Sequence, residues 1–289
     1  AVDVMNFGRM LTAMVTPFDK NLEVNYDMAA KLAEYLLEQG NDGIVVNGTT
    51  GESPTLNDDE KVQMFRTVKQ TVGERAVVIA GTGSNNTHHS IELTQKAAEC
   101  GVDGIMLVVP YYSKPSQEGL YQHFKTVAAA TDLPIILYNI PGRCGTNLAP
   151  ETVVRLANDV PNIVAIKEAS GNLDQIARLK TMCTADFAIY SGDDSLTLPI
   201  LSIGGAGIIS VVAHVAGKDL RKMVDAYFAG NVAEAQEINM KLYDIFKTMF
   251  ITSNPVPVKY ALNRIGINVG GVRLPLFEAN DAEKAKIDA

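Results

Sequence analysis

The sequence predicts an α/β protein: a closed (β/α)8 barrel with a C-terminal helical extension. Three observations carry that class. A beat of short apolar run, glycine or polar turn, and amphipathic helix recurs eight times within about the first 230 residues, which suits a barrel of about 250 residues. The runs are apolar and β-branched throughout rather than alternating, as strands covered on both faces require. After Gly230 the strand beat stops and only helical patterns continue. An open doubly wound sheet would give the same alternation. Against it, no G-x-G-x-x-G follows the first strand, and Gly81-Thr82-Gly83 continues with Asn86 where a third glycine would stand.

Taken in order, Met10–Val15 is the first strand and Tyr26–Gln39 its helix. Gly43–Val46 is the second strand; its helix, Asp58–Val72, opens on Asn57 with Glu60 three residues later, a capping-box start. Ala76–Ala80 with Thr87–Cys100, and Gly104–Val108 with Gln117–Thr131, make the third and fourth units. Pro134–Tyr138 is the fifth strand, and Pro150 and Glu151 suit the first turn of Pro150–Asn158. Ile163–Ile166 with Leu173–Cys183, Phe187–Tyr190 with Leu196–Ser202, and Gly207–Ser210 with Gly217–Phe228 complete the eight. Asn231–Phe250, Pro257–Gly266 and Ala279–Ile287 then read as helices, with Asn254-Pro255 and Pro275 as breaks. The expected division is a barrel over residues 1–230 and a helical appendage over residues 231–289.

Composition narrows the function classes. Of 289 residues 47% are hydrophobic and 20% charged, as in a globular chain with a sizeable core. A net charge of −8 argues against nucleic acid or an anionic membrane surface as partner. Cys100, Cys144 and Cys183 are odd in number and far apart, which gives no disulfide framework and implies a reducing, cytoplasmic setting. Ala1 to Arg9 lack the apolar stretch of a signal peptide. The longest uncharged window, Leu196–Gly217, contains Pro199 and Gly204-Gly205-Ala206-Gly207 and would make a poor membrane span. The sequons at Asn47 and Asn85 carry no weight without secretion.

In this class of barrel the chemistry sits at the C-terminal ends of the strands. Lys167 ends the run Ile163–Ile166, bounded by Pro161-Asn162 and Ser170-Gly171. A buried amine there loses hydration, becomes neutral more easily, and can attack a carbonyl to form a Schiff base. The alternative is a lysine that faces solvent or pairs with a carboxylate such as Glu168. The other strand ends bring Asn47-Gly48-Thr49-Thr50-Gly51-Glu52, Pro110-Tyr111-Tyr112, Tyr138 through Arg143, Ser191-Gly192-Asp193-Asp194, and Ile209-Ser210. The second-strand turn can cradle a carboxylate with backbone N–H groups and hydroxyls. No histidine or carboxylate spacing suggests a metal; His88, His89, His123 and His214 read as surface or structural.

Gly48-Thr49-Thr50-Gly51-Glu52, Tyr138-Asn139-Ile140-Pro141-Gly142-Arg143 and Lys167-Glu168-Ala169-Ser170-Gly171 resemble, in order and spacing, the dihydrodipicolinate synthase / N-acetylneuraminate lyase family of pyruvate-dependent class I aldolases. The likeness runs from Gly8 to about Pro275. It implies a lysine imine with pyruvate, no separate cofactor, and addition of the enamine to L-aspartate 4-semialdehyde, giving 4-hydroxy-tetrahydrodipicolinate on the way to diaminopimelate and lysine. By the same resemblance Tyr138 is the proton-moving phenol beside Lys167. Thr49 and Tyr112 would complete its relay, Tyr112 reaching in from a neighbouring subunit of a dimer of dimers. Thr50 and adjacent amides would hold the pyruvate carboxylate and Arg143 that of the semialdehyde, with Gly192 and the Ile209 carbonyl as minor contacts. Arg143 argues against a sialic acid or keto-deoxy sugar acceptor, whose lyases usually lack it.

The resemblance also implies a site for the end product L-lysine at Ser53, Leu56, Asp58, Lys61, Asn85, His89 and Tyr111. Asn85 and Tyr111 match the lysine-sensitive pattern. Lys61 and His89 do not, since that pattern has histidine or glutamate at the first and glutamate at the second. Weak or absent lysine inhibition is the expectation. Two further alternatives are a phosphorylated ligand at Gly204–Gly207, where barrel phosphate sites often lie, and a non-catalytic binding protein on the same fold.

Overall fold

The computed structural model describes residues 7–289; the reading of residues 1–6 as lacking a leader lies outside the described residues. In chain order the elements are β1 (Met10–Ala13), α1 (Tyr26–Glu38), β2 (Gly43–Val46), α2 (Asp58–Val72), β3 (Val77–Gly81), α3 (Thr87–Glu99), β4 (Gly104–Val108) and α4 (Gln117–Ala128). Then follow β5 (Ile135–Asn139), α5 (Pro141–Cys144), α6 (Pro150–Asp159), β6 (Ile163–Glu168), α7 (Leu173–Met182), β7 (Ala188–Ser191), α8 (Thr197–Ser202), β8 (Gly207–Ser210) and α9 (Ala213–Phe228). The extension is α10 (Val232–Thr248), α11 (Val256–Arg264) and α12 (Asp281–Asp288).

Each strand pairs in parallel with the next, and β8 closes on β1 through Met10↔Ile208, Leu11↔Ile209 and Thr12↔Ser210. Strand residues alternate between two cores. Leu11, Val45, Ile79, Met106, Ile136, Tyr138, Ala165, Tyr190 and Ile209 fill the barrel interior. Leu137, Ile166, Ile189 and Ile208 face outward into the layer shared with the helices. This two-sided burial is why the strands read as unbroken apolar runs.

The eight units fall where the sequence places them; β2, β4 and β8 keep the expected bounds, and the other strands move at one or both ends by a few residues. β6 runs on through Lys167 and Glu168 instead of stopping at Ile166, because both pair with β5 and β7. α9 begins at Ala213, not Gly217, and breaks at Ala216 (φ −135°, ψ 33°). Ser210 Oγ accepts from the Ala213 N–H, which starts that extra turn. The short helix α5 is absent from the sequence reading; Pro141 at its first turn sets it.

Gly204–Gly207 does not form a ligand cradle. Gly204 adopts φ +105° and closes α8, with its N–H and that of Gly205 bonded to Leu201 and Ile200 carbonyls. Gly204 and Gly205 lie before β8 and Gly207 opens it, at the end of the barrel opposite the strand C-termini, and a Cβ on Gly207 would sit 2.1 Å from the Arg9 carbonyl. Gly81 is likewise a packing glycine: a Cβ there would lie 2.7 Å from the Asn47 carbonyl oxygen.

The extension folds back on the barrel. α10 lies along α9, burying Ala235, Leu242 and Phe246. From α11, the Lys259 ammonium donates to Glu52 Oε2 at 2.7 Å, with both side chains shut off from solvent. Burial pushes the Lys259 amine down to about 8, against the upward pull of Glu52. The Arg273 N–H donates to the other Glu52 oxygen at 2.9 Å, and its guanidinium pairs with Glu60 at 2.7 Å.

Candidate active site

Strand register builds the centre. Tyr138 on β5 is the partner of Lys167 on β6, and Lys167 in turn of Tyr190 on β7. Side chains alternate along β6, so Lys167 points into the barrel while Glu168 points to the helices. The Lys167 Nζ lies 4.1 Å from the centroid of the Tyr138 ring. Lys167 is 5% exposed, and burial lowers its amine to about 8; Asp194 and Asp193 pull it upward and Arg143 presses it down. Burial raises the Tyr138 phenol above its usual range, so it keeps its proton. An amine close to neutral beside a protonated phenol is the pairing that nucleophilic attack with proton transfer needs.

Glu168 is not the counter-ion of Lys167. Its carboxylate accepts from Asn139 Nδ2 at 3.0 Å, within a chain of amides in which Asn139 also donates to Asn147 and Asn147 to Gln175. Burial lifts this carboxyl to about 7, against the hydrogen bonds of Asn139, Ser170 and Gln175. The carboxylates that do bear on Lys167 come from the end of β7, among residues read at the mouth without a role. Asp194 is buried, accepts from Ser210 Oγ, and takes the Val211 and Val212 N–H groups at 3.1 Å each.

A cleft of about 190 Å³ opens beside Tyr138, lined by Thr49, Tyr138, Arg143, Tyr111, Ser53 and Cys144 among others; Lys167 and Thr50 are not among its lining residues. Thr49 and Arg143 therefore meet Tyr138 at one cavity. Gly192 packs on the lysine stem: a Cβ there would come 3.2 Å from Lys167 Cγ and 2.8 Å from the Ala169 Cβ. Ile209 shares the interior cluster with Tyr138. Thr50 is buried behind Thr49, and its Oγ1 accepts from Asn254 Nδ2 at 2.8 Å. Tyr112 stands apart: it is 90% exposed and holds φ +72°, a left-handed backbone costly for a bulky residue.

The residues of the expected regulatory site also gather. His89 Nε2 lies 2.9 Å from both Asp58 oxygens, and Asn85 Nδ2 donates to the Tyr111 carbonyl at 3.2 Å. Lys61 is buried, and desolvation lowers its amine against the pull of Asp58. Leu56 is buried, while Ser53 and Tyr111 border the cleft itself. Two other histidines are structural. His214 is buried, with Nδ1 2.7 Å from the Val211 carbonyl and Nε2 taking the Val15 N–H; His123 Nδ1 meets Thr87 Oγ1 at 2.8 Å.

The model of the dihydrodipicolinate synthetase family matches residues 6–289. The chain belongs to that family. Among dihydrodipicolinate synthetase relatives, it is 60% identical over 282 residues to the 4-hydroxy-tetrahydrodipicolinate synthase of Desulforamulus reducens, covering 98% of this chain and 95% of that one. It is also similar to the crystal structure of a dihydrodipicolinate synthase from Bacillus anthracis, at 49% identity and a TM-score of 0.96 over 98% of this chain and 97% of that chain. A family structure from Cyanidioschyzon merolae with lysine bound matches at 48% identity and TM-score 0.96, over 98% of this chain and 96% of that chain.

Proposed function

We propose that Lys167 carries the reaction of this family member. The chain is a lyase that condenses pyruvate with L-aspartate 4-semialdehyde to 4-hydroxy-tetrahydrodipicolinate, the first step towards diaminopimelate and lysine. One observation carries the assignment of the chemistry to Lys167: a buried amine lowered to about 8 and facing a protonated buried phenol. Neutral Nζ attacks the pyruvate ketone. Tyr138 gives a proton to the departing hydroxyl, and water leaves a protonated imine. That nitrogen withdraws electrons, a methyl proton is lost, and the enamine adds to the aldehyde carbon. The amino group of the adduct then closes on the imine carbon and releases Lys167. The covalent imine takes the place of a cofactor.

Thr49 and Tyr112 complete the proton path, with Tyr112 presented to a second copy of the chain. Its exposure and strained backbone support that reading, and with it a dimer of dimers. Thr50 and nearby amides hold the pyruvate carboxylate, while Arg143 at the cleft wall holds that of the semialdehyde with its planar fork. Gly192 and the Ile209 carbonyl complete the pocket around the imine. The barrel, residues 1–230, supplies the chemistry and residues 231–289 brace it. No described helix is long and apolar enough to cross a membrane, which agrees with a cytoplasmic enzyme.

The test is chemical trapping. Incubation with pyruvate and borohydride should add a reduced pyruvyl group to the peptide containing Lys167, and supplying the semialdehyde should then give product. No adduct, or an adduct on another lysine, would overturn the assignment.

A further inference from the structure

The residue that supports both proposed carboxylate-binding groups comes from the extension. Asn254, just before α11, donates from Nδ2 to Thr50 Oγ1 at 2.8 Å, and its carbonyl accepts from Arg143 Nη2 at 3.4 Å. Its Oδ1 is buried and without a hydrogen-bond partner among the described residues. A threonine hydroxyl has one proton to give and lone pairs to receive one. With the Asn254 amide filling a lone pair, the Thr50 proton stays available for another acceptor. Were the amide reversed, Oδ1 would take that proton and the hydroxyl would have none for an anion.

We infer that Asn254 is a positioning residue that makes Thr50 a donor toward the pyruvate carboxylate while backing Arg143 at the cleft wall. This rests on the assignment of Thr50 under the proposed function. The block that holds Asn254 in place is rigid. Glu52, two residues after Thr50, sits at φ +58° and is locked to Lys259. Lys259 Nζ also donates to the Gly271 carbonyl at 2.7 Å and lies 4.0 Å from the centroid of the Phe18 ring. The segment carrying Asn254 and the turn carrying Thr50 are thus fastened together beside their mutual hydrogen bond.

Asn254→Asp tests this directly, since the new side chain keeps its shape but can only accept. Pyruvate affinity, read from borohydride-trapped protein against pyruvate concentration, and steady-state KM and kcat are measured in the parent and in Thr50→Val. Asn254→Asp should raise the pyruvate KM about tenfold or more while kcat changes much less. In the Thr50→Val background the same change should add less than about twofold, because the coupled partner is gone. Equal losses in both backgrounds, or a parent-like KM in Asn254→Asp, would overturn the inference. Asn254→Ala, which adds no charge, is read through the same cycle should the aspartate variant not fold. If Thr50→Val itself leaves pyruvate binding intact, the assignment of Thr50 falls and this inference with it. A damaging Thr50→Val beside a harmless Asn254→Asp removes the inference alone.

Discussion

At the scale of the residue, Lys167 and Glu168 are neighbours in sequence and opposites in surroundings, because strand alternation sends one into the barrel and the other behind it. With the neutral amine as the proposed nucleophile, and burial bringing Lys167 to about 8, each unit of acidification below that removes about tenfold of the reactive form. The logarithm of kcat/KM for pyruvate should climb between pH 6 and 8 and level off above, as steady-state rates across pH will show. A profile flat through this range would mean that the amine is not the titrating group. Arg143→Ala should raise the semialdehyde KM by about 10- to 100-fold, with a much smaller loss in pyruvate trapping from the relief of its downward pressure on the Lys167 amine. Lys167 was legible because it stands where an apolar run ends in an amine; Tyr138 and Arg143 stood at the same mouth, and their roles came through the family resemblance. Asp194 was visible at the same mouth but its role was not, since its partners on β8 and α9 are distant in sequence.

At the scale of the element, β6 carries a second ionisable group with a separate consequence. Glu168 is lifted from 4.5 to about 7, so between those values the folded chain binds more protons than the unfolded one, and stability falls as pH rises through this window. Glu168→Gln removes that contribution. Denaturant midpoints should show the variant gaining on the parent by about 1–3 kcal/mol between pH 4.5 and 8; parallel curves would place the burden elsewhere. In the loop after β7, Gly192→Ala brings a methyl within 2.8 Å of the Ala169 side chain and 3.2 Å of the Lys167 stem. Trapping of pyruvate should slow by about tenfold or more with little change in Tm. The strands were legible from the recurring apolar runs and the turns that bound them. The ends of β2, β4 and β8 were legible too, but that of β6 was not, because pairing with neighbours decides how far a strand runs: β6 continues through two ionisable residues that no apolar pattern would include.

At the scale of the whole molecule, the barrel closes through β1 and β8 and the extension fastens the turn after β2 from outside. On the flank of α2 and α3, at the site the family resemblance implies for L-lysine, the Asp58 carboxylate is engaged by His89 and Lys61 stands buried close by. L-lysine at sub-millimolar concentration should therefore leave the initial rate unchanged, and inhibition in that range would show that the site works despite these residues. The long-range braces were hidden from a sequence reading, in which Asn254-Pro255 is a break and Lys259 one polar residue of a helix. The Glu52–Lys259 pair spans 207 positions, and that separation has a meaning for biosynthesis. At about 5–20 residues per second on the ribosome, Glu52 emerges about 10–40 s before its partner exists. Until then its carboxylate stays hydrated and the turn that bears Thr50 is held from within the barrel, where Thr16 Oγ1 donates to the Gly51 carbonyl, but not from the extension. The pocket is consequently among the last parts of the nascent chain to take shape, and a message cut short between the end of β8 and Lys259 yields a protein with Lys167 in place and the turn that bears Thr50 without its outer brace.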